Sequence, residues 1–167
     1  MYTNNKVGNV IYKVIEYFGD DVRRINHFLK VYGYVKMIGE CENLDNSMQE
    51  ILEVTAVLHD VGIKVAEQKY NSSAGHYQQL EGPPVAKKIL DELGYPDDFV
   101  ERVMYLIAHH HTYTNIDGMD YQILVEADFL VNADEDRLSS DAIENFKEKI
   151  FKTTTGIAVL ENNYLNL

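Results

Sequence analysis

The sequence predicts an all-α protein, a helical bundle of about six to eight helices. Apolar residues recur at spacings of three and four along most of the chain, and no alternating run with a hairpin turn interrupts them. Helix-stopping glycines and helix-starting prolines fall between the periodic segments. With 167 residues, 46% of them hydrophobic, the chain can bury a core of its own, so one domain over 1–167 is expected. No internal repeat, low-complexity tract or long linker divides it.

The first helix is expected over about 5–18, closed by Gly19. The second begins at Asp20 and Asp21, whose charges suit a helix N-terminus, and reaches about Glu40. A third spans roughly 47–60, with Gly62 ending it in a left-handed conformation. Residues 66–79, AEQKYNSSAGHYQQ, read as a polar, mobile loop. Pro83 and Pro84 fit the first turn of a fourth helix that stops at Gly94. The fifth starts at Pro96 and runs into the histidine triplet at 109–111, and the turn TYTNIDGMD separates it from a sixth over about 121–134. Two shorter helices, about 139–152 and 156–165, finish the chain. The acidic stretch NADEDRLSSD lacks the ordered acids, central Gly and final Glu of a calcium loop, and reads as a solvated turn with Ser140 or Asp141 as a cap.

Composition narrows the function classes. A net charge of −12 opposes broad electrostatic binding to a nucleic-acid polymer or an anionic membrane, although a bound cation can reverse the field locally for one small phosphate compound. The single cysteine, Cys41, excludes an internal disulfide or a thiolate-rich zinc site and is expected to be a small buried hydrophobe. Apolar stretches such as VMYLIA are too short to span a bilayer, and MYTNNKVGNV lacks a signal-peptide pattern, so a cytoplasmic location is expected.

Against this background VTAVLHDVGIK, residues 54–64, sets His59 and Asp60 side by side at the end of an apolar run. His27 shares a helical face with Phe28, Val31, Val35 and Ile38; Asp128 follows Leu124 by four; His110 follows Val103 by seven and Ile107 by three. Four helices thus direct ionisable groups at one interior. Burying them together is costly unless something pairs with them, and a divalent cation satisfies imidazole and carboxylate at once.

The ordered set His27, His59 with Asp60, and Asp128 resembles the H…HD…D signature of the HD-domain superfamily of metal-dependent phosphohydrolases. RINHFLKVYGYV is similar to the family's first-histidine helix, LHDVG to its name-giving motif, and VMYLIAHHH and VEADFLVNAD to its later helices. The likeness runs from about 20 to 135, ahead of the C-terminal helices at about 139–165. It implies a helical fold of the HD type in which His27, His59, Asp60 and Asp128 hold one divalent ion, manganese, iron, cobalt, nickel or magnesium. Open positions on that ion would take a substrate phosphoryl oxygen and a metal-activated water as nucleophile, with Asp60 able to accept its proton. His76, His109 and His110 are the candidates for a second ion, and His109 or His110 for an acid near the leaving group. Phase favours His110 within the triplet and leaves His111 exposed. Many members carry Lys three residues after the motif Asp; this chain has Ile63 there and Lys64 one position on.

Lys64, Lys69 and Arg102 are the candidates for phosphate contact. Glu81 could hydrogen-bond a ligand histidine or serve as a helix N-terminal acid. Of the scattered tyrosines, among them Tyr32, Tyr34, Tyr70, Tyr77, Tyr105, Tyr113 and Tyr121, one or two could stack on a nucleobase, and the rest should pack. The leading expectation is therefore a hydrolase of a small phosphate ester or nucleotide, with a homodimer through exposed apolar helix faces as a further guess. Two other readings remain open. One is a two-iron oxygenase of the same superfamily, using His27, His59, Asp60, His76, His110 and Asp128; the other is a catalytically silent metal-containing domain for sensing or interaction.

Overall fold

Nine α-helices follow one another in the computed structural model, which describes residues 7–166, and no strand occurs among them. They are α1 (Val7–Phe18), α2 (Val22–Cys41), α3 (Asn46–Leu58), α4 (Gly62–Tyr70), α5 (Gly75–Glu92), α6 (Asp97–His109), α7 (Met119–Glu135), α8 (Ser140–Ile150) and α9 (Thr154–Leu160). A short π-helical turn, Glu161–Leu165, continues α9. The expected start of the first helix, at residues 5 and 6, lies outside the described residues.

The central element is α3, whose residues Leu52 to Leu58 are all buried. Leu52 and Ala56 join α2 (Val31, Val35, Ile38) and α7 (Ile123, Leu124, Leu130) in one apolar cluster. Val54, Val57 and Leu58 join α1 (Val10, Val14), α5 (Ala86, Leu90) and α6 (Val103, Ile107) in the other. Burial of each large aliphatic side chain contributes roughly 1.5–3 kcal/mol, so a helix packed on both sides is held firmly in place. Its C-terminal end, where His59 and Asp60 follow, is therefore fixed between two cores.

Caps hold the helix starts. Asp21 accepts from the Arg24 amide at 3.2 Å and Asp45 from Met48 at 2.9 Å. Gly19 (φ 64°) and Gly94 (φ 77°) close α1 and follow α5 in the left-handed region, as their positions predicted. Ser139, rather than Ser140 or Asp141, caps α8 by accepting from the Ala142 amide at 3.2 Å. Glu126, buried on α7, accepts from the amides of Lys152 (2.7 Å) and Thr153 (3.0 Å) and from the Thr153 hydroxyl, which ties the α8–α9 junction to α7.

The largest departure from expectation lies at 62–82. Gly62 does not terminate α3 in a left-handed conformation; it opens α4, and α5 begins at Gly75, eight residues before the prolines. Helix α4 has only Ile63 and Ala66 as buried apolar side chains, too weak a periodicity to declare a helix. What holds α4 is backbone proximity. A Cβ on Gly62 would lie 2.5 Å from the Gln78 carbonyl oxygen and 2.6 Å from the Gly82 amide nitrogen, and one on Gly82 would lie 2.7 Å from Ile107 Cγ2. Pro83 and Pro84 sit inside α5, where each removes one i→i−4 hydrogen bond that packing must offset. Cys41 is exposed at the end of α2 and is not the buried residue predicted, because its helix face turns outward in the last turn.

Candidate metal centre

Five polar side chains from four helices or helix ends meet at the end of α3. His27 comes from the middle of α2, Asp128 from the middle of α7, His59 and Asp60 from the turn after α3, and His110 from the residue that caps α6. His27 Nε2 lies 3.3 Å from His59 Nε2, 3.2 Å from Asp128 Oδ1 and 3.3 Å from Asp60 Oδ2. His59 Nε2 lies 3.4 Å from Asp60 Oδ2 and 3.5 Å from Asp128 Oδ1. On the other side, Asp60 Oδ1 lies 3.6 Å from His110 Nε2.

The outward nitrogens settle the tautomers. Nδ1 of His59 is 2.7 Å from the Ala56 carbonyl, and Nδ1 of His110 is 2.7 Å from the Ile107 carbonyl. A carbonyl only accepts, so each Nδ1 carries the proton and each Nε2 presents its lone pair to the centre. His27 Nδ1 likewise donates to Glu135 Oε2 at 2.8 Å. Two lone pairs 3.3 Å apart, with carboxylate oxygens around them, require a positive charge between them. His110 Nε2 is buried without a hydrogen-bond partner among the described residues, although Asp60 faces it. These donors fit a divalent cation, and the carbonyl ends of α3 and α6, which lead into the cluster, favour one further.

Two ligand groups share Asp60. One is His27, His59 and Asp60, with Asp128 beside it; the other is Asp60, His110 and His111. His111 Nε2 lies 3.0 Å from Gln78 Oε1, and the Gln78 amide donates to the Ser73 carbonyl at 2.6 Å, so Nε2 carries the proton and Nδ1 of His111 keeps its lone pair.

Electrostatics follow from this crowding. Burial opposes charge on His59, but Asp60 and Asp128 outweigh it and hold the ring's pKa well above the ordinary value. The same balance raises His27, through its hydrogen bond to Asp128. Burial would raise Asp60 and Asp128, yet the facing imidazoles hold both below the usual carboxylate range. Burial, with the adjacent His110 ring, pushes His111 down to about 4.

The cluster opens into a cleft of about 510 Å³, lined by His27, Asp60, Ile63, Gln78, His111 and Asp128 and by polar residues of α2 and α7.

The sequence as a whole agrees with this geometry: the family model described as the HD domain matches residues 24–144. The chain belongs to the HD domain family. Among solved structures, a predicted HD superfamily hydrolase from an uncultured Thermotogales bacterium is similar, with a TM-score of 0.63 and 23% identity over 93% of this chain and 82% of that one. At that identity the likeness speaks for the fold. No curated protein matches the sequence significantly. Membership of the family supports a metal-dependent hydrolase.

Within this HD domain the remaining candidates are scattered. His109 turns away from the cluster: its Nδ1 lies 2.7 Å from the Tyr105 carbonyl and its ring packs on Tyr105 at 4.2 Å. His76 is exposed and lies against Tyr77 at 3.9 Å, in neither ligand group. His111, expected to be exposed, is half-buried in the cleft wall, because the chain leaves helical geometry at His110 and helical phase no longer applies. Lys64 is exposed and donates to the Tyr17 carbonyl at 2.9 Å. Lys69 pairs with Glu81 at 2.8 Å, and Arg102 is held by Asp117 and Asp120 at 3.1 and 2.7 Å. Glu81 is neither a partner of a ligand histidine nor an N-terminal acid; it sits inside α5 and accepts from Lys69 and from Tyr70 at 2.8 Å. No tyrosine lines the cleft among the described residues. Sequence reading missed Glu135, Asn132 and Asp136, which belong to the acidic stretch taken for a solvated turn; α7 runs on through Glu135 and carries them to the cleft. The seven-residue step from Asp128 to Glu135 was the available signal, since it returns to the same helix face.

Proposed function

We propose that this HD domain, with the whole chain as one domain, is a metal-dependent phosphohydrolase acting on a small phosphate ester or nucleotide. The observation that carries the reading is the convergence of the Nε2 atoms of His27, His59 and His110 on Asp60, with each Nδ1 already committed to an acceptor. His27, His59, Asp60 and Asp128 would hold the ion. A divalent cation there supplies Lewis acidity, lowering the pKa of water and neutralising charge on a phosphoryl group. The protein then has mainly to position and to move one proton. Asp60 Oδ1 and His110 Nε2, 3.6 Å apart, are the atoms able to hold the proton lost from the attacking water. If a second ion binds, His110, His111 and that oxygen of Asp60 would hold it instead.

Elemental analysis of the purified protein, with a phosphate-release screen over nucleotides, sugar phosphates and generic monoesters, tests this. Bound manganese, iron, cobalt, nickel or magnesium and turnover that disappears in Asp60→Ala, with helical content unchanged, are expected. Metal without turnover would favour a silent sensing domain. The two-iron oxygenase reading calls on His76, which is exposed against Tyr77; turnover with magnesium in the absence of oxygen separates it from hydrolysis.

A further inference from the structure

We propose that Arg23 binds the phosphate group of the substrate, and that the charge balance of the cleft selects compounds with a single phosphate group over polyphosphates. This rests on the phosphohydrolase reading above and narrows it. Arg23 and Arg24 precede His27 by four and three residues on α2, so both sit one turn away on the face that carries the ligand. They are the sole basic residues lining the cleft, apart from histidine, among the described residues.

The two arginines differ in availability. Arg24 is held in place, with Nη1 2.8 Å from Asp21 Oδ2 and Nη2 2.5 Å from Glu67 Oε1. Arg23 has no hydrogen-bond or ion-pair partner among the described residues. A planar guanidinium with all its donors unspent matches two oxygens of one phosphate group. The other cations that sequence nominated are engaged elsewhere: Lys64 on a carbonyl, Lys69 on Glu81, Arg102 on two aspartates.

The anionic side of the cleft sets the limit. Asp21, Asp60, Asp128, Glu135 and Asp136 all line it. Asp60 and Asp128 would be offset by a divalent ion, Asp21 by Arg24, and Glu135 by Lys30 at 3.2 Å and the His27 proton. Asp136 has no ion-pair partner among the described residues. With the charge of that ion spent on Asp60 and Asp128, Arg23 is the one cation left, and it meets part of the charge of about −1.5 to −2 that a phosphomonoester brings. A second or third phosphate would face Asp136 with no cation left to receive it.

The test uses the metal-loaded full chain, with inorganic phosphate titrated calorimetrically and p-nitrophenyl phosphate, ribose 5-phosphate, pyrophosphate and triphosphate as substrates. Arg23→Ala is expected to weaken phosphate binding and raise KM for the monoesters about tenfold or more, with kcat within about twofold, the size of one charge-assisted contact. Arg23→Lys should recover part of the loss, and bound metal should be unchanged in both. Wild-type protein should prefer monoesters to triphosphate, and Asp136→Asn should narrow that preference. Unchanged phosphate binding and KM in Arg23→Ala, or a preference for triphosphate, would overturn this inference while leaving the hydrolase reading intact. A metal-loaded wild type that neither binds phosphate nor releases it from any of these compounds would overturn both.

Discussion

Glu135 accepts a hydrogen bond from Nδ1 of His27 at 2.8 Å, two helical turns beyond Asp128 on the same helix. One rigid element thus supplies a ligand carboxylate and the group that orients a second ligand. Such a contact fixes the tautomer of the histidine and makes its free nitrogen more basic, and losing it typically weakens metal binding about 10–100-fold. Glu135→Ala should show a loss of that size for manganese or cobalt in equilibrium dialysis. Glu135→Gln keeps an accepting oxygen and should lose less. Nitrogen NMR of the His27 ring should show its Nδ1-protonated form depleted in the alanine variant, a change that simple loss of packing would not produce.

Asp128 is the ligand whose removal should empty the site. Its Oδ1 is 3.2 Å from His27 Nε2 and 3.5 Å from His59 Nε2, and the apolar neighbours Leu124, Leu130 and Val131 hold α7 independently of it. Asp128→Ala is expected to purify without metal and with an unaltered helical circular-dichroism spectrum. Metal that binds only the native state at about 100 times its Kd adds about 2.7 kcal/mol, so wild type should lose that increment on chelation and the variant should lose nothing. A variant that still retains stoichiometric metal would remove Asp128 from the ligand set.

The pH response without metal has a definite sign. His59 and His27 titrate above the ordinary imidazole value in the folded chain, so folding binds protons above about pH 6.5. Their contribution is complete below the unfolded pKa and fades as pH rises through the folded values. Asp60 and Asp128 are lowered, so their contribution is present above about pH 4 and is lost only in acid, as pH falls through their folded values. Chelator-treated protein should therefore melt at a lower temperature at pH 8.5 than at pH 6.5. Metal affinity should move the opposite way and strengthen with pH, because the ion displaces those protons. Calorimetric melting at both pH values, with and without manganese, checks both slopes.

His27 and Asp128 were readable because they sit mid-helix, where three- and four-residue spacing to Val31 or Leu124 fixes the face they occupy. His59 and His110 lie at helix ends but still follow the apolar spacing of α3 and α6, whereas Asp60 was carried by its adjacency to His59 and by the HD resemblance. Within the triplet phase picked out His110, which faces Asp60, and failed only at His111, which lies past the end of α6 and lines the cleft. Helix α4 was hidden for a different reason. Its position depends on how closely two backbones approach, and an amphipathic pattern records side-chain burial only.

That close approach gives the last prediction. Gly62 and Gly82 let α4 cross α5, and Gly82 lets α5 lie against α6 at Ile107. A Cβ at position 82 would lie 2.7 Å from Ile107 Cγ2, so Gly82→Ala forces either a new Ile107 rotamer or separation of the helices. Overpacking of this kind costs about 1–3 kcal/mol, or roughly 2–4 °C of Tm for each kcal/mol in a chain of this size. Gly62→Ala meets backbone on both sides, at the Gln78 carbonyl and the Gly82 amide, and has no side chain to push aside, so its cost should be larger. The pair also bears on the site, because Gly62 follows Asp60 by two residues and Gln78 holds His111. Gly62→Ala should therefore weaken metal binding as well as stability. If melting curves put both single variants within 1 °C of wild type, the glycine contact is not what holds α4 in place.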